Sequence, residues 1–126
     1  MGLLLDTNVF VRFVEGRLSG HLRNVISGPE AEVHTSVASL WEIAIKVRLG
    51  KLPLRVSLPD LPVFIDSVGF TLLTMKAPHV LALPEPEPAT RDPFDRLLLA
   101  QCMIEQLKLV TLDRMLASHP LTWQNA

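Results

Sequence analysis

Four acidic residues stand where carboxylates could do chemistry together: Asp6, Glu42, Asp95 and Asp113. Asp6 ends the unbroken apolar run Leu3-Leu4-Leu5, and Asp113 follows Leu109-Val110-Thr111. Runs of that kind read as strands buried on both faces. In a parallel sheet both acids leave their strands at the carboxyl edge, where open α/β sheets collect ligands. Asp95 falls in the first turn of a helix opened by Asp92-Pro93, where the dipole and free N–H groups favour an ionised acid. Helices of such a sheet start on the edge where the preceding strands end, so three carboxylates from distant stretches are expected on one rim. Glu42 is the fourth, two turns into a helix that Ser36 can cap. Close carboxylates raise one another's pKa and cannot all stay ionised without a cation. All-oxygen ligation selects Mg²⁺ or Mn²⁺ over Zn²⁺. His21, His34, His79 and His119 sit singly, and one cysteine gives no zinc spacing. Mg²⁺ or Mn²⁺ in an acidic cluster most often serves phosphoryl transfer, by activating a water and neutralising charge on the leaving oxygen.

The elements that must position these acids alternate between strand and helix. After Asp6, Thr7 and Asn8 can cap a helix carrying Val9, Phe10, Phe13 and Val14, which Gly16 closes. A second helical pattern, Leu18 to Ile26, ends at Ser27-Gly28-Pro29. Glu32 to Thr35 reads as a short strand. The strongest helical pattern follows, with Val37, Leu40, Trp41, Ala44, Ile45 and Val47 on one wide face and Gly50 as its stop. A loop with two prolines spans Leu52 to Pro59, and a helix started by Ser57 or Asp60 carries Leu61, Phe64, Ile65 and Val68. Phe70 to Thr74 is expected as a strand and Pro78 to Leu83 as a short helix. Pro84-Glu85-Pro86-Glu87-Pro88 excludes helix and inner strand. The Asp92 helix runs to about Gln106, Lys108 to Leu112 is a strand, Arg114 to Ser118 a last short helix, and Leu121-Thr122-Trp123 a possible edge strand. Alternation of this kind implies right-handed βαβ units. The expected fold is a three-layer α/β/α domain, residues 1–126, around a mostly parallel sheet of four to five strands.

Composition narrows the partners. The chain has 126 residues, enough for one domain and no linker. Its 12 basic and 13 acidic residues leave a net charge of −1, so no overall positive field draws in nucleic acid. A polyanion must then be held by a local cluster or through metal ions. The lone Cys102 fits a reducing compartment, and no apolar run approaches the roughly 18 residues of a membrane span. A cytoplasmic protein with no membrane contact is expected.

Taken together, Leu3-Leu4-Leu5-Asp6-Thr7-Asn8, Ser36-Val37-Ala38-Ser39-Leu40-Trp41-Glu42-Ile43-Ala44-Ile45-Lys46 running to Leu49-Gly50-Lys51-Leu52, Arg91-Asp92-Pro93-Phe94-Asp95-Arg96-Leu97-Leu98-Leu99-Ala100-Gln101 and Thr111-Leu112-Asp113 closely resemble a PIN domain. The branch they look like is the bacterial VapC-type toxin ribonucleases, over nearly the whole chain and in the family's order. The resemblance implies a metal-dependent endoribonuclease whose acidic quartet corresponds to Asp6, Glu42, Asp95 and Asp113. By that analogy the acids hold one or two Mg²⁺ or Mn²⁺ ions, and RNA is cut to leave a 5′-phosphate and a 3′-hydroxyl. Thr7, Asn8, Ser36 and Thr111 would supply the hydroxyls and amide that hold those carboxylates in place. The resemblance also implies a small cognate antitoxin and a homodimer. Thr90 stands where relatives often carry histidine, and Leu112 where a polar or basic residue is common. Neither departure removes a ligand.

Each of these residues has a plainer structural reading beside the functional one. Asp6 could cap the helix that follows, Asp95 could merely complement a helix dipole, and Asp113 could be a turn residue. Asp92, before proline at the first helical position, reads as a cap. Glu42 has Lys46 at i+4, the favourable order for an ion pair, and Lys46 would either tune Glu42 or touch phosphate. Lys46, Arg48, Lys51 and Arg55 form the densest positive run, either a solvated helix end or an RNA-backbone contact. Arg96 divides between ion pair and substrate. Trp41, Cys102 and Met103 are expected in core or interface packing. A haloacid-dehalogenase-like phosphatase also begins with an acid after its first strand, but needs a second one two residues on, where Asn8 stands. The remaining alternative is a catalytically inactive PIN-like module that binds an antitoxin or RNA without cutting.

Overall fold

Leu3, Leu4 and Leu5 are all fully buried, and their alternation divides them between two apolar clusters: Leu3 and Leu5 in one, Leu4 in the other. A strand with apolar side chains on both sides belongs in the middle of a sheet covered twice. In the computed structural model, which describes residues 1–124, β1 (Gly2–Leu5) has a parallel neighbour on each side. The sheet has four strands in the order β3 (Thr71–Leu73), β2 (Glu32–Ser36), β1 and β4 (Lys108–Val110), and every pairing is parallel. Leu5 lies opposite Val110, and the Asp6 N–H continues the ladder onto the Val110 carbonyl at 2.9 Å. That register carries Asp6 and the residues after β4 off the same edge.

One face is covered by Phe10 of α1 (Thr7–Val14), Ile26 of α2 (Gly20–Ser27), Ile43 of α3 (Val37–Arg48), and Leu61 and Ile65 of α4 (Leu61–Ser67). Phe10 and Phe13 meet Phe64 edge-on at 6.4 and 5.9 Å. The other face is covered by Leu98, Leu99 and Cys102 of α6 (Pro93–Glu105), with Ala38 and Leu116. Burying each such leucine contributes roughly 1.5–3 kcal/mol. The short α5 (Ala77–Leu81) is fastened to α6 by the buried His79, whose Nδ1 accepts the Lys76 N–H at 3.0 Å while Nε2 lies 2.7 Å from Glu105. The result is the expected three-layer α/β/α fold with four strands.

Helix ends follow local chemistry. Ser36 Oγ accepts the Ala38 N–H at 3.0 Å and starts α3, and Gly50, at φ +70°, lets the chain leave it. Asp92 Oδ1 accepts the Phe94 N–H at 2.8 Å and starts α6. Asp6, not Thr7 or Asn8, occupies the position before α1, yet its side chain makes no capping bond; Thr111 has claimed it.

Two expectations are corrected and a third is narrowed. Arg114 to Ser118 is a run of turns, not a helix: Leu116 and His119 close bonds to carbonyls three residues back, and Thr122 Oγ1 takes the Leu116 carbonyl at 2.7 Å. The expected edge strand at 121–123 is a single parallel bridge between Thr122 and Leu109. Of the two places expected for Trp41, core or interface, the core is excluded: it is 61% exposed in the single chain, because α3 turns its neighbours Glu42 and Ile43 inward instead.

Candidate active site

Four elements deliver their acids to one cavity of about 390 Å³ at the carboxyl edge of the sheet. Asp6 comes from the end of β1, Glu42 from the middle of α3, Asp95 from the first turn of α6, and Asp113 from three residues past β4. Asp92, Thr7, Asn8 and Lys46 also line it, with Val11, Leu52 and Leu112 as its apolar wall. All four acids, and Asp92 with them, therefore face the same space.

Two threonines orient the aspartates in the same way. Thr111 Oγ1 accepts the Asp113 N–H at 3.0 Å and donates to Asp6 Oδ2 at 2.6 Å. Thr90 Oγ1 accepts the Asp92 N–H at 3.1 Å and donates to Asp95 Oδ2, also at 3.1 Å. Each hydroxyl thus closes a tight turn onto the acid two residues ahead and fixes the carboxylate of another. The sequence signal is the repeated Thr-x-Asp of Thr90-Arg91-Asp92 and Thr111-Leu112-Asp113. Sequence reasoning found Thr111 but treated Thr90 only as a departure.

Thr90 and the proline-rich segment before it are pinned by Arg96 and His119. His119 Nδ1 accepts the Leu121 N–H at 3.1 Å, so Nε2 carries the proton toward the Pro86 carbonyl at 2.8 Å. Arg96 bridges Glu87 at 2.5 Å and the Thr90 carbonyl at 3.5 Å. Arg96 is thereby engaged in an ion pair outside the acidic cavity.

Crowded acids pay in proton affinity. Burial raises the pKa of Asp6, and Glu42 and Asp113 push it further, while the Thr111 hydroxyl and Thr7 N–H pull it down. Burial, followed by the charges of Asp6 and Asp92, pushes Asp95 up to about 7. Glu42, only 6% exposed, meets a cation already: Lys46 Nζ lies 2.6 Å from its Oε2. That bond, with Coulomb attraction to Glu42, Asp92 and Asp95, raises the Lys46 pKa against its own desolvation.

The remaining expected residues are placed as follows. Thr7 Oγ1 donates to Ser39 Oγ at 2.9 Å, tying the start of α1 to α3. Asn8 is exposed at the cavity wall. Ser36 serves α3 as its cap, its Oγ taken up by the Ala38 N–H rather than by an acid of the cavity. Asp92 is both the α6 cap and part of the cavity wall. Arg48 and Lys51 are exposed beyond the cavity, at the end of α3.

The donor chemistry fits a hard divalent cation: the lining is rich in carboxylate oxygen, and two of those carboxylates have proton affinities raised by burial and, beyond it, by the negative charge of neighbours that a cation would offset. Among the described residues, no three His, Cys, Asp or Glu side chains already stand as a finished ligand group. The carboxylates share a cavity but have not closed around one point.

A family model for the PIN domain matches residues 3–120. Among solved structures, the chain is similar to a crystal structure of VapBC2 from Rickettsia felis bound to a DNA fragment from their promoter. That match has a TM-score of 0.68 at 15% identity and covers 99% of this chain and 98% of the other, a likeness of fold. No curated protein matches the chain in sequence.

Proposed function

Because the chain belongs to the PIN-domain family, we propose that it is a Mg²⁺- or Mn²⁺-dependent endoribonuclease and the toxin of a toxin–antitoxin pair. The observation that carries this reading is the meeting of Asp6, Glu42, Asp95 and Asp113 in one cavity. These four would hold the metal, which when bound supplies an activated water and neutralises charge on the leaving oxygen of an RNA phosphodiester. Asp95, pushed up to about 7 by burial and its neighbours, must give up its proton to bind the ion, and Asp6 is raised in the same direction, so metal loading and deprotonation are coupled. Thr111 and Thr90 keep the two carboxylates pointed into the cavity while this happens. Lys46, at the cavity wall, is within reach of Glu42 before substrate arrives and carries the charge needed to take hold of a phosphate.

The toxin assignment rests on likeness of fold to VapBC2. On that reading a small cognate antitoxin neutralises the chain, two copies form a homodimer, and the pair works in the cytoplasm. No helix among the described residues is long and apolar enough to cross a membrane. One observation favours the alternative, a PIN-like module that binds antitoxin or RNA without cutting: Glu42 already has its cation in Lys46.

Incubating the purified protein with a pool of cellular RNA, in Mg²⁺ or Mn²⁺ and in EDTA, separates the two. Discrete cuts bearing 5′-phosphates, lost in EDTA and in Asp6→Asn, are expected. A folded protein that binds Mn²⁺ and leaves the RNA intact would establish the binding-only module.

A further inference from the structure

Trp41 does not line the acidic cavity, yet it adjoins in the chain a residue that does. It is the residue before Glu42, as Phe94 is the residue before Asp95. The two rings meet edge to face, centroids 5.6 Å apart at 72°, and so link α3 to α6 where two cavity acids emerge. Trp41 nevertheless leaves 61% of its surface in solvent. Along the same face of α3, Arg48 follows seven residues later, about 10 Å down the helix axis, and is exposed. Lys46 lies between them in sequence and lines the cavity.

We propose that Trp41, braced by Phe94, is a stacking platform for a base of single-stranded RNA flanking the phosphate held in the acidic cavity. The inference rests on the ribonuclease reading and names a residue of this chain that would position the substrate beside the cavity. A phosphodiester in the cavity leaves its two nucleosides outside, and unpaired bases are bound chiefly by stacking on aromatic faces. The T-shaped contact with Phe94 fixes the tilt of the indole, so little ordering is left for the substrate to bring about. Lys46 at the cavity and Arg48 on the face of α3 that carries Trp41 place cations on both sides of the platform, where the chain of phosphates can continue. Double-stranded RNA keeps its bases stacked on one another and gains nothing here.

The test uses the full chain carrying Asp6→Asn, so that bound RNA stays intact, and Trp123→Phe, which leaves Trp41 as the one tryptophan of two. The probe is a single-stranded oligoadenylate titrated in Mg²⁺ while indole fluorescence is followed. Quenching is expected on binding, with none from the same oligomer in a duplex. In the Trp123 form that keeps Asp6, Trp41→Ala should raise KM for a cleaved single strand about 5- to 150-fold, as loss of one stacked base implies, and leave kcat much less affected. Trp41→Phe should restore most of the loss. The salt dependence of binding should not change with Trp41→Ala and should weaken with Arg48→Gln, which removes a phosphate contact. Cleavage by the parent with an unchanged KM in Trp41→Ala overturns the platform and leaves the nuclease standing. Sedimentation in which Trp41→Ala only breaks a dimer, or loss of antitoxin binding with RNA affinity intact, assigns the face to a protein and equally overturns it. A parent chain that neither cuts nor binds RNA overturns the nuclease reading and this one with it.

Discussion

Stripped of divalent cations, the protein should lose stability as the pH rises from about 4 to 7. Asp95 has its pKa pushed from 3.8 to about 7 in the folded protein, so between those values the folded state holds a proton that the unfolded chain has released. Stability therefore falls with rising pH across that window and is level on either side. Asp6, also raised, acts in the same direction. Lys46 is raised from 10.5, so its contribution is fully present throughout the window. At face value the Asp95 shift corresponds to roughly 4 kcal/mol. Asp95 is only half-buried, and solvent screening reduces this to about 1–2 kcal/mol. For a domain of this size that is a fall in Tm of about 4–8 °C. The assay is thermal melting from pH 4 to pH 7 in EDTA and again in millimolar Mg²⁺. In EDTA, Asp95→Asn should flatten most of the slope and melt above the parent at pH 7. In Mg²⁺ the parent's slope should shrink or reverse, because the ion binds the deprotonated acids and stabilises the fold by mass action. A parent whose Tm in EDTA is level or rises between pH 4 and 7 would refute the reasoning, as would an Asp95→Asn variant with the parent's slope.

Thr111→Val keeps the shape but removes the donor at 2.6 Å from Asp6 and the acceptor of the Asp113 N–H. Calorimetric titration with Mn²⁺ should show affinity reduced about 10- to 100-fold, and an unchanged affinity would mean the hydroxyl positions nothing. Lys46→Met keeps the aliphatic stem and removes the cation that competes for Glu42. Mg²⁺ should then bind about fivefold tighter, the worth of a half-exposed ion pair, while RNA binds more weakly; weaker Mg²⁺ binding would contradict the competition. Phe10→Ala, in the middle of the α1 face, should cost about 3–5 kcal/mol in urea unfolding, and a loss below about 1 kcal/mol would show that the cluster it fills is loosely packed.

Much of this architecture is legible in the sequence because strand burial and helix capping are local. Leu3-Leu4-Leu5 announces a central strand, Ser36 and Asp92 announce helix starts, and all three do in the structure what their neighbours dictate. That Asp6, Asp95 and Asp113 share a rim was legible by one further step, the rule that parallel strands and their helices present acids on a common edge, whereas Glu42 joined them only through the resemblance to a PIN domain. What was not legible depends on contacts between distant segments. The turns after Asp113 have helical composition, but Thr122, arriving from beyond Pro120, takes the Leu116 carbonyl. Trp41 lies on an apolar helical stripe, yet which part of that stripe is covered depends on where α6 docks. Thr90 carries no local mark of its bond to Asp95; only comparison with Thr111-Leu112-Asp113 reveals the shared pattern.

The core and the cavity are one constraint. Leu5 faces Val110 across the β1–β4 pair, and one residue further along the same register brings the Thr111 hydroxyl to Asp6. A slip of one residue would turn Leu3 and Leu5 out of their cluster and Leu4 out of the other, at a cost of several buried leucines. The same slip would also move Thr111, and with it Asp113, away from Asp6. The apolar run therefore does more than hold the sheet together: its side-chain alternation sets the distance between two acids that repel each other. Carboxylates left to themselves would move apart or take up protons; here burial raises the proton affinity of Asp6 and Asp95, and neighbouring charges add to it because the sheet register and the two threonine turns deny the acids the first option. A divalent cation offers a third. The strength with which the chain binds one should thus scale with how firmly Leu3, Leu4 and Leu5 fix the register, so that a core substitution such as Leu4→Ala weakens metal binding from a distance even in the molecules that remain folded.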